Sequence, residues 1–145
     1  MGLDMYLRGE RYLWYTEDEL KDTVGQCFPE LPEGASIKQV EAEIGYWRKA
    51  NAVHKWFVDN VQGGVDECQK TFVSREQIQQ LRDICQKVID NPDLAPSLLP
   101  TQSGFFFGNT EYGEWYLQDV RETIDICDRA LNLPDNWDLH YQSSW

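Results

Sequence analysis

The stretch of residues 45–57, GYWRKANAVHKWF, constrains the fold more than any other part of the sequence. It contains two tryptophans, three basic residues, an amide and an imidazole but no acid, although the whole chain has a formal net charge of −12. Apolar side chains recur along it at helical spacing and predict one amphipathic helix that ends at Gly63-Gly64. The predicted core stripe of this helix consists of Tyr46, Ala50, Val53, Phe57 and Val61.

Alternating apolar and polar residues predict short strands elsewhere in the chain. The first two are expected to form a hairpin around Gly9-Glu10, and the last is expected to lie beside the first. Gly45 is interpreted as the joint between the third strand and the helix that follows it. The predicted strands cover residues 3–8, 11–15, 37–44, 69–73 and 137–145.

Two capping-box patterns, in residues 16–19 and 74–77, predict the starts of two further helices. Residues 91–111 contain three prolines and two glycines, and predict a long connection. After it comes the clearest amphipathic pattern in the chain, which ends before Pro134. Its apolar stripe consists of Leu117, Val120, Ile124, Cys127 and Leu131.

This order of elements predicts an α+β fold, with a small, mostly antiparallel sheet packed by about four helices. The length of 145 residues and the 41% of hydrophobic residues are typical of a single compact domain, here residues 1–145.

The four cysteines indicate buried apolar positions rather than a metal centre or disulfides. Cys27, Cys68, Cys85 and Cys127 show no C-x-x-C spacing, and only two histidines accompany them. Neither a metal nor a cofactor is therefore expected.

The charge and the termini bear on partners and location. Strong acidity disfavours direct binding to nucleic acid, because phosphates would be repelled. No run of about 18 apolar residues predicts a membrane span, and residues 1–6 do not have the pattern of a signal peptide. We expect a cytoplasmic protein whose partner is a small anionic molecule or another protein, and homo-oligomerisation is left open.

On the predicted central helix, Trp47, Asn51, His54 and Val58 share a face beside the core stripe, with Arg48 and Lys55 flanking it. An indole stacks on planar groups, Asn51 offers donors and an acceptor, and Arg48 can grip a phosphate or carboxylate. These residues suit an anionic ligand with a planar part, such as a nucleotide. The alternative is a solvated basic face paired with acids, with the tryptophans in the core.

The second candidate segment is residues 101–110, TQSGFFFGNT, which is expected to fold over the central helix if the two segments form one site. Three consecutive phenylalanines cannot all face one side, so some are expected in the core while Phe106 lines a cleft. Uncharged hydrogen-bonding groups flank them at Gln102, Ser103, Asn109 and Thr110. The alternative is a packed loop that satisfies its own polar groups.

Catalysis has little support in the sequence. Phosphate-binding, dinucleotide-binding, zinc-protease and serine-hydrolase motifs are all missing. His54 with Glu41 or Glu114 is the one acid–base pairing that we consider, and no catalytic residue is assigned.

Three blocks of the sequence together resemble a family of small bacteriophage and prophage proteins. They are the opening MGLDMYL, the block IGYWRKAN with His54 and Trp56-Phe57, and the block LPTQSGFFFG with Thr110, Tyr112 and residues 114–116. Gly113 departs from the resemblance, since an acid is expected there. The resemblance implies phage origin, a compact fold and the cytoplasm of an infected bacterium, but no mechanism.

Three functions are therefore compared. The favoured one is a non-enzymatic phage accessory protein that binds a phosphate-bearing small ligand, and so antagonises host defence by sequestration. The alternative is an acidic inhibitor that covers a basic surface of a host defence protein. A hydrolase that uses His54 ranks last.

Overall fold

The computed structural model describes residues 2–13 and 18–145. Within these residues, strands and helices alternate along most of the chain, which confirms the predicted α+β class. The strands are β1 (Asp4–Tyr12), β2 (Gln39–Arg48), β3 (Thr71–Val73) and β4 (Asp138–Ser144). The helices are α1 (Asp18–Gln26), α2 (Asn51–Asn60), α3 (Arg75–Asp90), α4 (Ala95–Leu98) and α5 (Glu114–Leu131), with a 3-10 turn at Pro92–Leu94.

The four strands form one antiparallel sheet in the order β2-β1-β4-β3. β1 lies in the middle, between β2 and β4, so the predicted pairing of the last strand with the first is confirmed. Both ends of the described chain are thereby held in the sheet.

One face of the sheet and helices α2, α3 and α5 enclose the hydrophobic core. Leu3, Met5 and Leu7 of β1 are fully buried, as the alternation of apolar residues predicts for one face of a strand. Burying each such side chain stabilises the fold by roughly 1.5–3 kcal/mol.

The predicted hairpin around Gly9-Glu10 is wrong, because β1 runs through both residues as one strand. A Cβ atom added at Gly9 would lie 3.2 Å from Leu133 and 3.4 Å from Trp137. Glycine here allows close approach of neighbouring side chains instead of a turn. Residues 14–15 of the second predicted strand, and residues 16–17 of the first capping box, lie outside the described residues.

The predicted joint at Gly45 is also wrong. β2 continues through Gly45 to Arg48, and the helix begins only at Asn51. A bulge explains the error: Leu7 pairs with Gly45 and Arg8 with Glu43, so Ile44 is an extra residue. A bulge interrupts the alternation of faces, and here that interruption resembles the end of a strand.

The predicted core stripe is wrong at its first residue, because Tyr46 belongs to β2 and not to the helix. Tyr46 is 41% exposed, whereas Trp47, which was assigned to a ligand-binding face, is 2% exposed. Ala50, Val53 and Phe57 are buried as predicted, and Val61 is half-buried.

The predictions for the C-terminal half of the chain agree better with the structure. Ser74 and Gln77 form the predicted capping box at the start of α3. In α5, Val120 and Cys127 are buried, whereas Leu117, Ile124 and Leu131 are half-buried. The four cysteines are free. Cys85 and Cys127 lie in the core as predicted, whereas the prediction is wrong for Cys27, which is exposed, and Cys68 is only half-buried.

None of the helices in the described parts of the chain combines the length and the apolar character that spanning a membrane requires.

Candidate functional site

A cavity of about 340 Å³ lies where β2 passes into α2. One wall consists of residues 48–53, from the end of β2 to the first turn of α2. The second wall comes from the first two turns of α5, and the third from the loop between α4 and α5. The volume lies within the range of roughly 300–1,000 Å³ that is common for small-molecule sites.

The backbone of the first wall makes an unusual turn at Lys49. This residue has a φ of 58°, in the left-handed region that side chains other than glycine seldom adopt. Its N–H donates to the Leu3 carbonyl at 2.7 Å, and its carbonyl accepts from the Asn51 N–H at 2.9 Å. Strained backbone conformations of this kind cluster at functional sites, and they persist only where the surrounding structure holds them.

The turn at Lys49 leads directly into an uncapped helix. Ala50 stands at the N-cap of α2 and provides no side-chain hydrogen bond, and the first turn contains no acid. The first N–H groups of a helix lack partners within the helix and give this end a partial positive charge. Ala52 and Val53, which belong to that first turn, line the cavity. An anion would be stabilised there.

Two basic side chains border the same end of the cavity. The Arg48 side chain is 56% exposed, and its Nη1 lies 3.5 Å from Asp4 Oδ1. Lys49 is exposed and makes no ion pair with any residue that the structure describes. Positive charge is therefore available at this point of an otherwise acidic chain.

The α5 wall presents an aromatic ring and a carboxylate. Trp115 is 76% exposed, which is unusual for so large an apolar side chain. Asp119 lies one turn further along α5, so the two side chains share a face of the helix. Burial, followed by the negative charge of Glu122, raises the pKa of the Asp119 carboxyl from 3.8 to about 6.

Asn51 joins the loop to α2. Its Nδ2 donates to the carbonyls of Phe107 at 2.9 Å and Asn109 at 2.8 Å, and its Oδ1 accepts from the Gln102 N–H at 3.0 Å. The predicted contact between the central helix and this loop is therefore confirmed. However, it is a contact between the segments themselves, and it uses the amide group that was expected to face a ligand.

His54 is fully buried, with both ring nitrogens bound within the chain. Nδ1 lies 2.6 Å from the Tyr141 hydroxyl, and Nε2 lies 2.9 Å from Asp66 Oδ2. Asp66 also accepts a hydrogen bond from the Trp145 indole at 3.0 Å. This network ties α2 to β4 and to the C-terminus, and leaves no imidazole nitrogen free for a ligand.

Trp47 is likewise occupied, since its indole N–H donates to Thr123 Oγ1 at 2.9 Å in the core. Of the ten residues predicted to bind a ligand, Arg48, Asn51 and Asn109 line the cavity. Lys55 lies outside it and pairs with Asp59.

The other predicted loop residues do not line the cavity. Gln102 is half-buried at its backbone bond to Asn51, and Ser103 is exposed. The Phe106 carbonyl accepts from the Leu3 N–H, and the Thr110 carbonyl accepts from the Thr101 hydroxyl. The three phenylalanines separate as expected, with Phe107 buried and Phe105 95% exposed.

Three charged or aromatic side chains of the cavity lining, those of Lys49, Trp115 and Asp119, are not among the residues that the sequence predicts to bind a ligand. Lys49 had a visible signal, because it lies in the basic stretch, but it is off the helical face that was considered. Trp115 and Asp119 are separated from Lys49 by more than sixty residues, and no local pattern connects them.

In residues 2–13 and 18–145, no group of three or more His, Cys, Asp or Glu side chains is arranged to hold a metal ion. A comparison of the chain with protein-family models, curated proteins and solved structures finds no match.

Proposed function

We propose that the protein binds a phosphate-bearing small molecule with a planar part, such as a nucleotide, in the cavity between β2, α2 and α5, without catalysing a reaction. The observation that carries the proposal is the composition of this one cavity: Arg48, Lys49 and an uncapped helix start at one side, and the exposed Trp115 at another.

Each of these groups has a matching part in a nucleotide. A phosphate accepts charge-assisted hydrogen bonds from arginine, lysine and free backbone N–H groups. A planar base stacks on an indole, with a gain of about 1–3 kcal/mol per base. The fully buried His54 does not support a hydrolase. By analogy with small phage proteins, the binding would sequester a host nucleotide signal.

Isothermal titration calorimetry and thermal melting with a panel of mononucleotides and cyclic dinucleotides test the proposal. We expect measurable heat and a raised melting temperature with at least one of them. Replacement of Lys49 with alanine should weaken that binding by about tenfold, because a hydrogen bond to a charged group contributes roughly 1.5 kcal/mol or more.

Lys87→Ala is the matched control, since Lys87 is an exposed lysine on α3, outside the cavity. It removes the same charge and should leave the affinity unchanged. Absence of heat with every nucleotide, together with an unchanged melting temperature, would contradict the proposal. Salt-sensitive capture of a basic protein, in place of nucleotide binding, would favour the acidic inhibitor.

A further inference from the structure

Asp119 differs from the other shielded acids of this protein. Among the residues whose side chains the structure describes, five acids are buried or half-buried, and four of them have a hydrogen-bonding or ion-pair partner within the chain. Asp4 accepts a hydrogen bond from the Tyr46 hydroxyl. The other three pairs are Glu10 with Lys70, Asp66 with His54, and Asp128 with Arg82.

The Asp119 carboxylate is the fifth, and no described residue donates a hydrogen bond to it or forms an ion pair with it. Its backbone carbonyl accepts from the Thr123 hydroxyl at 2.6 Å, so the main chain at this position is fixed. A shielded carboxylate without a donor is unfavourable, and a ligand that brings donors would remove the penalty. Because Asp119 lines the cavity, a molecule bound there is placed to supply those donors.

Asp119 lies one helical turn beyond Trp115, so its carboxylate and the indole ring are on the same side of α5. A base that stacks on the Trp115 ring directs its edge, and not its face, towards side chains beside that ring. The group that meets Asp119 is therefore the hydrogen-bonding edge of the base.

The four common bases differ in what this edge offers to a carboxylate. Guanine has two adjacent donors, N1–H and the exocyclic amino group, which match the two oxygens of one carboxylate. Adenine and cytosine place a ring-nitrogen acceptor beside their amino group, and uracil places a carbonyl on each side of its N–H. In each of the latter three, an acceptor would face the negative charge.

We propose that the cavity selects guanine, with N1–H and the exocyclic amino group donating to the Asp119 carboxylate while the base stacks on Trp115 and the phosphate lies near Arg48 and Lys49. This inference rests on the proposed nucleotide-binding function. Asp119 acts as the residue that determines base specificity, and the basic end of the cavity contributes affinity for the phosphate of any nucleotide.

The test is calorimetry of the full chain with GMP, IMP, AMP and XMP, and with cyclic di-GMP as a second source of the same base. GMP should bind at least about tenfold more tightly than AMP, because each hydrogen bond to a charged group is worth about a factor of ten. IMP, which lacks the amino group, should fall between them. A higher affinity for cyclic di-GMP than for GMP would identify the dinucleotide as the source of the base.

Asp119→Asn provides the decisive variant, because it keeps the shape of the side chain. An asparagine amide accepts from N1–H and donates to a carbonyl, so the variant should lose about tenfold or more in affinity for GMP and gain affinity for XMP. Asp125→Asn is the matched control: it makes the same change at an exposed aspartate of α5 that does not line the cavity, and it should leave the preference for GMP over AMP unchanged.

Equal affinities for GMP and AMP, with no effect of Asp119→Asn on their ratio, would overturn the guanine assignment and leave nucleotide binding intact. The absence of binding by every nucleotide would instead overturn the proposed function, and the guanine assignment with it.

Discussion

Gly45 lies where β2 passes under α5, and its missing side chain permits that contact. A Cβ atom at this position would lie 2.3 Å from Ile126 Cγ2 and 2.9 Å from two further atoms of the same side chain. Atoms this close must move apart, and a β-branched isoleucine on a helix has little rotamer freedom with which to move. The carbonyl of the neighbouring bulge residue, Ile44, accepts a hydrogen bond from Arg129 of α5, which holds the two elements together.

Gly45→Ala is therefore expected to destabilise the protein by about 1–3 kcal/mol, the usual effect of overpacking a core. Chemical denaturation monitored by tryptophan fluorescence measures this change. Gly25→Ala is the control, since no atom lies within 4 Å of a Cβ added at Gly25 in α1. Combining Gly45→Ala with Ile126→Ala should cost less than the sum of the two single changes. Simple additivity would show that the contact does not cause the loss.

At the scale of elements, Asn51 organises the loop between α4 and α5. This loop contains no helix or strand, and the Asn51 side-chain amide holds it through hydrogen bonds to the backbone of Gln102, Phe107 and Asn109. The loop forms one wall of the cavity, so the position of that wall depends on a side chain in the first turn of α2.

Asn51→Ala should destabilise the protein by about 2–3 kcal/mol, because it leaves backbone groups without partners. It should also accelerate hydrogen exchange at the Gln102 amide, whose N–H donates to Asn51 Oδ1. Asn60→Ala, at the other end of α2, removes an amide that makes only one bond to the helix backbone, to the Trp56 carbonyl. Equal exchange rates at Gln102 in the two variants would show that Asn51 does not hold the loop.

At the scale of the whole molecule, the net charge of −12 makes the ionisation of a shielded acid especially costly. The pKa of Asp119 rises from 3.8 to about 6 in the folded state, mainly through burial and then through Glu122. The folded state therefore holds the proton more tightly than the unfolded state. The stabilisation that results is fully present below about pH 3.8 and is lost as the pH rises through about 6.

The free energy of unfolding of Asp119→Asn should accordingly exceed that of the original protein above pH 6. The expected difference is about 1–2 kcal/mol, after a discount for the partial exposure of the carboxylate. Chemical denaturation of both proteins across pH 4 to 8 measures this difference in the free energy of unfolding, which should vanish near the acidic end. A constant difference across this range would contradict the assigned titration.

Much of the fold could be predicted because it depends on local patterns. The buried face of β1, the capping box at Ser74 and the amphipathic character of α5 each arise from residues within a few positions of one another. The errors at Gly9 and Gly45 share one cause, to which the bulge at Ile44 adds at Gly45. Glycine is ambiguous in a sequence, since it serves both turns and close contacts between elements.

For the candidate site, the contact between α2 and the loop was predicted and is confirmed, whereas the shared helical face was wrong. Trp47 faces the core from β2, and His54 is enclosed by Tyr141 and Asp66. Whether Arg48, Asn51 and Asn109 contact a ligand stays a prediction.

The sequence alone determined the α+β class, the buried face of β1 and the basic stretch that borders the cavity. These properties follow from periodicity and composition, which are visible one segment at a time. The tertiary structure decided the bulge at Ile44, the enclosure of His54 and the meeting of Lys49 with Trp115 and Asp119. Contacts between residues far apart in the chain depend on how whole elements pack, and no local pattern encodes them.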